Sequence, residues 1–285
     1  MSKSKIQNPN SKIPKVCLTI AGLDPSGGAG IIADIKTFAA FGCYGAAAIS
    51  SVTFQNTNGV FGAVHQTAES VRRQVDPVLQ DFSVSATKTG MLPTVEIITE
   101  VARLIGEFAL KNVVVDPVVR STSGFNLIDD AALDALIENL FPVAGIVTPN
   151  LPEAERIARM RILTRRDIEK ARRLMQSMGA KNVLIKGGHL PIADRGSGNA
   201  DSGKRSAVDY LFTGSQSELF ESEFIETTST HGTGCTLSAA IAANLALGNN
   251  LSHSVRIAKD YVTEAIRTAP GIGSGNGPVN HFVRK

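Results

Sequence analysis

The stretch Val16-Cys-Leu-Thr-Ile-Ala-Gly-Leu-Asp-Pro-Ser-Gly-Gly-Ala-Gly30 is a short apolar run that passes directly into a glycine-rich loop. An apolar run of this length, bounded by glycine and proline, is typical of a strand that is buried on both faces. A helical pattern follows the loop and continues to Phe41. Strand, glycine-rich loop and helix in this order predict the first unit of a parallel sheet whose strands are joined by helices.

The same alternation of strand and helix patterns continues along the chain. Further strands are predicted at residues 46–54, 84–89, 113–116, 145–148, 183–186 and 208–212. Helices are predicted between most of them, at residues 68–80, 95–110, 130–140, 152–158 and 166–178. The predicted fold class is therefore α/β, with a mainly parallel central sheet covered by helices on both faces. Residues 1–12 are predicted to be a disordered tail and residues 13–285 a single domain.

Composition and charge disfavour several classes of protein. Hydrophobic residues make up 43% of the 285 and charged residues 19%, and the formal charge is only +3, so nucleic-acid binding is not indicated. Cys17, Cys43 and Cys235 show no CxxC spacing, which argues against a disulfide framework or a structural zinc site. No signal peptide or long apolar run is apparent, so we expect a cytoplasmic protein with no membrane partner.

A second glycine-containing loop, Thr228-Ser-Thr-His-Gly-Thr-Gly-Cys-Thr-Leu-Ser238, precedes an alanine-rich helical pattern that extends to Leu245. The first backbone N–H groups of a helix have no partner within it, so this pattern favours an anion-binding site. Cys235 falls in the first turn of the predicted helix, where the pKa of a thiol tends to be lowered. The alternative is a tightly packed helix with Cys235 as a buried apolar side chain, and the segment alone favours neither.

The first loop also matches a dinucleotide-binding fingerprint, because Gly28-Ala-Gly-Ile-Ile-Ala33 has the spacing GxGxxA. That kind of site needs a carboxylate about 20 residues later. The sequence there is Ala48-Ile-Ser-Ser-Val-Thr-Phe-Gln55, which contains none, so nicotinamide or flavin binding is disfavoured. The phosphate-binding pattern GxxxxGK[ST] does not occur either.

Charged residues follow several predicted strands, at the edge of a parallel sheet where ligands bind. Asp24, Asp34 and Asp116, together with Glu153, are carboxylates of the kind that hold a phosphate-bound Mg²⁺. Each of them alone could instead end a strand or lie in solvent. Lys186 ends an apolar strand before two glycines, so its ammonium could contact a phosphate or simply reach solvent along the apolar surface.

Eight segments of the chain carry motifs that, taken in order, resemble those of one protein family. They are Ala21-Gly-Leu-Asp-Pro-Ser-Gly-Gly-Ala-Gly-Ile-Ile-Ala-Asp-Ile-Lys-Thr37, Gln55-Asn-Thr57, Lys88-Thr-Gly-Met-Leu92, Val115-Asp-Pro-Val118, Thr148-Pro-Asn-Leu-Pro-Glu-Ala154, Lys186-Gly-Gly-His-Leu190, His231-Gly-Thr-Gly-Cys-Thr-Leu-Ser238 and Gly277-Pro-Val-Asn-His281. In this order the chain resembles the hydroxymethylpyrimidine/phosphomethylpyrimidine kinases of thiamine biosynthesis. The resemblance implies a ribokinase-like fold, usually a homodimer, and phosphorylation by ATP of the hydroxymethyl group and then of the monophosphate.

The resemblance also implies roles for individual residues. The implied pyrimidine pocket consists of Gly22, Asp34, Gln55, Met91 and Val118, with Asp34 and Gln55 bonded to the aminopyrimidine edge. The implied catalytic residues are Lys186 near the transferred phosphate and the anion hole Gly232, Thr233, Gly234 and Cys235. ATP and Mg²⁺ are the implied cofactors, the nucleotide at Asn150, Glu153, Lys186, Thr233 and Gly234 and the metal at Asp116 and Glu153. Cys235 would accept the proton of the alcohol or only shape the anion hole.

Two segments depart from the family's usual pattern. Residues 191–206 are a longer loop, and Arg120-Ser-Thr-Ser123 replaces an apolar, lysine-bearing turn, which leaves open how the second phosphate is met. His189 and His231 are expected to be hydrogen-bonded loop residues, since nothing in the sequence pairs them with a carboxylate.

Three rival functions remain beside the pyrimidine kinase. A pyridoxal kinase is the nearest, and Gln55 and Met91 argue weakly against it. A catalytically silent pyrimidine-binding protein would not need the anion hole, Lys186 and Cys235. A sugar kinase of this fold is expected to have an aspartate at the position of Cys235.

Overall fold

The central feature of the structure is one sheet of nine strands, seen in a computed structural model that describes residues 13–120, 124, 126–187 and 205–283. The strands are β1 (Val16–Leu23), β2 (Tyr44–Asn56), β3 (Gly59–His65), β4 (Val84–Thr89), β5 (Val113–Val115), β6 (Ile146–Val147), β7 (Asn182–Lys186), β8 (Ser206–Thr213) and β9 (Gln216–Glu223). The described helices are α1 (Gly30–Ala40), α2 (Ala68–Asp81), α3 (Val95–Glu107), α4 (Asp130–Leu140), α5 (Leu151–Ala158), α6 (Arg165–Ser177), α7 (Thr233–Ala246) and α8 (Leu251–Arg267).

The order of strands in the sheet is β3-β2-β1-β4-β5-β6-β7-β8-β9. The six strands from β2 to β7 in this order run parallel to their neighbours, whereas β3 at one edge and the β8–β9 hairpin at the other are antiparallel. The carboxyl ends of the parallel strands therefore lie on one edge of the molecule. The predicted α/β class with a mainly parallel sheet is confirmed.

Helices cover both faces of the sheet, because the buried strands carry apolar side chains in both directions. Leu18 of β1 faces a core formed with α2, α3, α4, α5 and α6. Its neighbour Cys17 faces the opposite core, formed with α1, α7 and α8. The alanine-rich composition of α7 lets it lie against the sheet with nearly every side chain buried.

The sequence analysis did not predict β3, β9 or α8. An edge strand has only one neighbouring strand, so few of its side chains need to be apolar. In β9, only Phe220 of the eight residues is buried. The predicted strands at 46–54 and 208–212 were also too short, because β2 and β8 extend into these antiparallel pairs. Asp116, predicted to end a strand, lies one residue beyond β5.

The N-termini of the helices separate them into two groups. Side chains cap six of the described helices, at Thr67, Thr94, Asp129, Asn150, Thr164 and Asn250. In α1 and α7, whose first residues follow Ala29 and Gly232, no described side chain caps the helix. Their first N–H groups are thus left for other partners. These two helices begin in the two glycine-rich loops.

Candidate active site

A cavity of about 480 Å³ opens where the parallel strands end. The predicted site residues that line it are Gly22, Gln55, Met91, Asp116, Val118, Asn150, Glu153, Lys186, Gly232, Thr233, Gly234 and Cys235. They lie at the carboxyl ends of six parallel strands, in the segments that directly follow these strands, and at the start of α7. The structure therefore brings together residues that are up to 213 positions apart in the chain, from Gly22 to Cys235.

The two glycine-rich loops are joined directly to each other. Asp24 accepts hydrogen bonds from the backbone and hydroxyl of Ser26 and from the backbone N–H of Ala29, which fixes the first loop. Its Oδ2 also lies 2.7 Å from Nε2 of His231 in the second loop. Burial raises the pKa of Asp24, but the hydrogen bonds from His231 and Ser26 outweigh this effect and lower it. His231 is thus a hydrogen-bonded loop residue, as predicted, and its partner is a carboxylate that the sequence did not reveal.

Close backbone contact reinforces this junction. Gly232 has φ of 78°, and a Cβ there would lie 1.8 Å from the carbonyl oxygen of Gly28. Only glycine fits both the conformation and the space. Gly234 is less tightly constrained, because a Cβ there would lie 3.1 Å from Nζ of Lys186 and would require only a small shift of that side chain. The absence of side chains at these positions lets an ammonium group and two helix N-termini converge.

Cys235 lies between the two helix N-termini. It is in the first turn of α7, and the backbone N–H of Gly30, the first residue of α1, is close enough to its sulfur to favour the thiolate. Burial raises the pKa of the thiol to about 11, Asp34 and Asp116 add to the rise, and Lys88 and the Gly30 N–H oppose it. The predicted lowering of this pKa was therefore wrong, because burial outweighs the favourable helix terminus.

Lys186 and Asp116 form the charged centre of the cavity. Nζ of Lys186 lies 3.0 Å from Oδ1 of Asp116, which also accepts a hydrogen bond from Thr148. Ser238 of α7 lies 3.2 Å from the other carboxylate oxygen. Burial raises the pKa of Asp116, but Lys186 and Lys88 outweigh burial and lower it. Asp116 is thus an ionised group that holds the lysine at the anion hole.

Asn150 and Glu153 have a structural task as well as a place in the cavity. They form a capping box at the start of α5, in which each side chain accepts the other residue's backbone N–H. Burial raises the pKa of Glu153 to about 7, with Lys186 opposing and Asp116 adding to the rise. Glu153 is 5% exposed, so its carboxylate lies at the wall of the cavity and not free in solvent.

The residues present fit a magnesium ion that is held mainly through water. Within the described ranges, no group of three or more His, Cys, Asp or Glu side chains could by itself hold a metal ion. Mg²⁺, however, keeps several waters and usually takes one or two carboxylates together with phosphate oxygens. Asp116 and Glu153 are two such carboxylates at the cavity wall.

Asp34 is not among the described residues that line the cavity, so its implied role in the pyrimidine pocket stays a prediction. It is fully buried in α1, where its Oδ2 lies 2.9 Å from Nζ of Lys88 and accepts a hydrogen bond from Thr19. Burial lowers the pKa of Lys88, but the charge of Asp34 more than offsets this, so the pKa is raised. Lys88, which lines the cavity, thus connects Asp34 to the site.

Sequence reasoning assigned no role to three cationic side chains that line the cavity. They are Lys88, Arg120 and Lys259. Nζ of Lys259 in α8 lies 2.8 Å from Oδ2 of Asp209, whose Oδ1 accepts the N–H of Gly187 beside Lys186. The available signal was that Lys88 interrupts the buried strand β4, since an unpaired charge is rarely fully buried. Lys259 had no such signal, because α8 itself was not predicted.

Other sequence predictions lie outside the described residues. They concern the tail 1–12, the turn 121–123, His189 and most of the loop 191–206. No helix within the described ranges is both long enough and apolar enough to cross a membrane.

Comparison with known proteins identifies the family. The model of the phosphomethylpyrimidine kinase family matches residues 24–280. The chain belongs to this family. It is 43% identical over 268 residues to the hydroxymethylpyrimidine/phosphomethylpyrimidine kinase of Bacillus subtilis strain 168, which covers 94% of this chain and 95% of that protein. The predicted family and its phosphotransferase class are confirmed.

Two further similarities bear on the function and the fold. The thiamine biosynthesis bifunctional protein ThiED of Geobacter sulfurreducens is 44% identical over 266 residues, which are 93% of this chain and 52% of that protein. The ADP complex of Bacillus subtilis pyridoxal kinase has a TM-score of 0.82 at 37% identity, over 94% of this chain and 98% of that one. The predicted ribokinase-like fold and the connection of the family to thiamine biosynthesis are confirmed.

The raised pKa of Cys235 predicts how its reactivity depends on pH. In the free protein, alkylation by iodoacetamide should accelerate about tenfold per pH unit from pH 7 to pH 10, because only the thiolate reacts. Mass spectrometry of the Cys235 peptide measures the rate, with Cys235→Ala to define the background from the buried Cys17 and Cys43. A plateau already at pH 8 would contradict the proposed effect of burial.

Proposed function

We propose that this chain transfers a phosphoryl group from ATP to 4-amino-5-hydroxymethyl-2-methylpyrimidine and then to the resulting monophosphate. The observation that carries the proposal is the convergence of two helix N-termini and Lys186 on one cavity that also contains a pocket for a flat ring. Phosphoryl transfer requires positioning of the two reacting oxygens and stabilisation of charge, and this arrangement supplies both.

Residues of β1, β2, β4 and β5 form what we call the acceptor end of the cavity. A Cβ at Gly22 would lie 3.2 Å from the sulfur of Met91, so the absent side chain leaves room for a flat ring beside the thioether. Gln55 follows on β2, and its amide can both donate and accept hydrogen bonds, as the ring nitrogen and amino group of an aminopyrimidine require. Val118 supplies apolar contact.

The nucleotide binds toward β8 and β9 at the other edge of the sheet, in this proposal. Apolar side chains of Ile225, Val262 and Ile266 line the cavity there, as a purine ring requires. The polyphosphate then extends toward the start of α7. The N–H groups of Gly234 and Cys235, together with Lys186, face the group that is transferred.

The reaction in this site is an in-line displacement. The hydroxymethyl oxygen bonds to the terminal phosphorus, the bond from that phosphorus to the bridging oxygen breaks, ADP leaves with the electron pair, and the hydroxyl proton is released to solvent. When bound, Mg²⁺ neutralises charge on the phosphate oxygens, and Asp116 and Glu153 would hold it through water. Lys186, kept in position by Asp116, stabilises the negative charge that builds on the transferred group.

Cys235 has a positioning role in this proposal. With a pKa of about 11, its thiol is protonated at neutral pH in the free protein and cannot accept a proton. Its sulfur lies near the N–H of Gly30, where the start of α1 meets the start of α7. In a loose transition state the alcohol needs to lose its proton only late, which reduces the demand for a strong base.

The projecting β2–β3 ribbon favours a homodimer. Phe54, Phe61 and Val64 on this ribbon are 51%, 70% and 55% exposed, and β3 is an edge strand of the sheet. An apolar edge of this kind is normally covered. A second copy of the chain is the proposed cover, and it would lie beside Gln55 at the acceptor end.

Sedimentation equilibrium tests the dimer. The wild-type protein should behave as a dimer of 30.1 kDa chains, and Phe61→Glu should shift it to monomers because a charge would be buried in the contact. Leu163→Glu is the matched control, since Leu163 is 64% exposed but lies between α5 and α6. A monomeric wild type, or equal effects of the two variants, would sink the proposed dimer surface.

Pyridoxal is the second candidate acceptor. The observation that favours it is the TM-score of 0.82 to a pyridoxal kinase. Both acceptors are flat heterocycles with a hydroxymethyl group, so the fold and the anion hole serve either.

An ADP-release assay with ATP and Mg²⁺ decides between these acceptors. Turnover is expected with the hydroxymethylpyrimidine and with its monophosphate. Cys235→Ala should lose about 100-fold or more in kcat, on the scale of one misplaced group at an anion hole, whereas Cys43→Ala, remote from the cavity, should retain activity. Turnover of pyridoxal alone would reassign the substrate, and ADP release that survives in Cys235→Ala would place the activity elsewhere.

A further inference from the structure

Arg120 lies on a short hairpin at the rim of the cavity. The hairpin is closed by an antiparallel bridge between Arg120 and Asn126 and by the hydrogen bond from Leu127 N to Val119 O, at 2.9 Å. The side chain of Arg120 is exposed and lines the cavity, and its Nε donates to the amide oxygen of Asn126 at 3.3 Å. A guanidinium group is thus held at the mouth by a neutral partner.

The rim hairpin is attached to the charged centre of the site. Val118 N donates to the carbonyl of Asp116 at 2.8 Å, and Val119 N lies 3.4 Å from Oε1 of Glu153. These bonds fix the start of the hairpin relative to Lys186. The position of Arg120 is therefore set by the same residues that set the anion hole.

Charge pairing distinguishes Arg120 from the other cationic groups that line the cavity. The ammonium groups of Lys88, Lys186 and Lys259 each lie within 3.0 Å of an aspartate oxygen. Within residues 13–120, 126–187 and 205–283, Arg120 has no carboxylate within salt-bridge distance.

Arg120 also lines a neighbouring groove, and the other arginines of that groove are paired. Arg156 and Arg159 each pair with an aspartate at 2.7 Å, and Arg161 pairs with Glu155 at 3.6 Å. An unpaired guanidinium at a cavity favours an anionic ligand, and its planar fork matches phosphate oxygens.

The order of the strands gives the location of that anion. Arg120 follows β5, the strand of the acceptor end that lies nearest to β8 and β9 of the nucleotide end. When the acceptor already carries a phosphate, that phosphate must lie between the ring and the group being transferred. Lys186 is committed to Asp116 and to the transferred group, so the acceptor phosphate needs another cation.

We propose that Arg120 binds the phosphate of the acceptor when the acceptor is the pyrimidine monophosphate, and that it thereby determines the efficiency of the second phosphorylation. The inference rests on the proposed function, because it assigns one residue to one of the two acceptor substrates. The alcohol carries no phosphate and makes no such contact.

Calorimetry with the pyrimidine monophosphate, in the absence of ATP, tests the contact without turnover. Arg120→Gln should weaken binding of the monophosphate by about 10- to 100-fold, the range for loss of a hydrogen-bonded charge. Arg161→Gln is the matched control, because it removes an equal charge from the neighbouring groove and should change the affinity by less than about twofold. An unchanged dissociation constant in Arg120→Gln would overturn the proposal.

Steady-state kinetics with both acceptors then locates the phosphate. In Arg120→Gln the ratio of kcat/KM for the monophosphate to kcat/KM for the alcohol should fall by the same factor. Equal losses on both acceptors with a raised KM for ATP would assign Arg120 to the nucleotide and overturn the proposal. Should the wild-type protein phosphorylate neither pyrimidine, the proposed function fails separately, and the calorimetry still decides whether Arg120 binds the monophosphate.

Discussion

The active site depends on the contact between two loops that are far apart in the chain. The imidazole of His231 and the carboxylate of Asp24 are 2.7 Å apart, and Gly232 lies against the backbone of Gly28 with no room for a Cβ. This contact brings the starts of α1 and α7 together. Two helix N-termini then face one point, and each contributes positive potential and unpaired N–H groups there. The position of Cys235, the approach of Lys186 and the shape of the anion hole follow from it.

A second constraint is the pairing of buried charges. Three lysines that line the cavity form ion pairs, Lys88 with Asp34, Lys186 with Asp116 and Lys259 with Asp209, each with an ammonium within 3.0 Å of a carboxylate. Such pairs stabilise a fold little by themselves, but removal of one member leaves an uncompensated charge. They hold their lysines in position before any ligand arrives. The anionic substrates therefore meet a cavity wall whose lysines are already paired with carboxylates. The strongest attraction for these substrates comes from the N–H groups at the starts of α1 and α7 and from Arg120.

Much of this architecture follows from the sequence. The parallel strands were predictable because they are buried on both faces and read as continuous apolar runs, and the cavity at their ends followed from that topology. The edge strands β3 and β9 were not predictable, because a strand with one polar face does not form a continuous apolar run. Asp24 and His231 are 207 residues apart, and Lys88 and Asp34 are 54 apart, so no local spacing reveals either pair. The pKa of Cys235 was misjudged for the same reason, since burial is set by the packing of the whole fold.

The central claim, that the junction of the two loops creates the anion hole, is tested most directly by Gly232→Ala beside Gly248→Ala. Both glycines flank α7 with positive φ, but a Cβ at Gly248 would meet nothing within 4 Å, so this control reports the backbone strain alone. Turnover of the hydroxymethylpyrimidine is the measurement. Gly232→Ala should lose about 100-fold or more in kcat relative to Gly248→Ala while it still binds the pyrimidine. Equal turnover in the two variants would contradict the account.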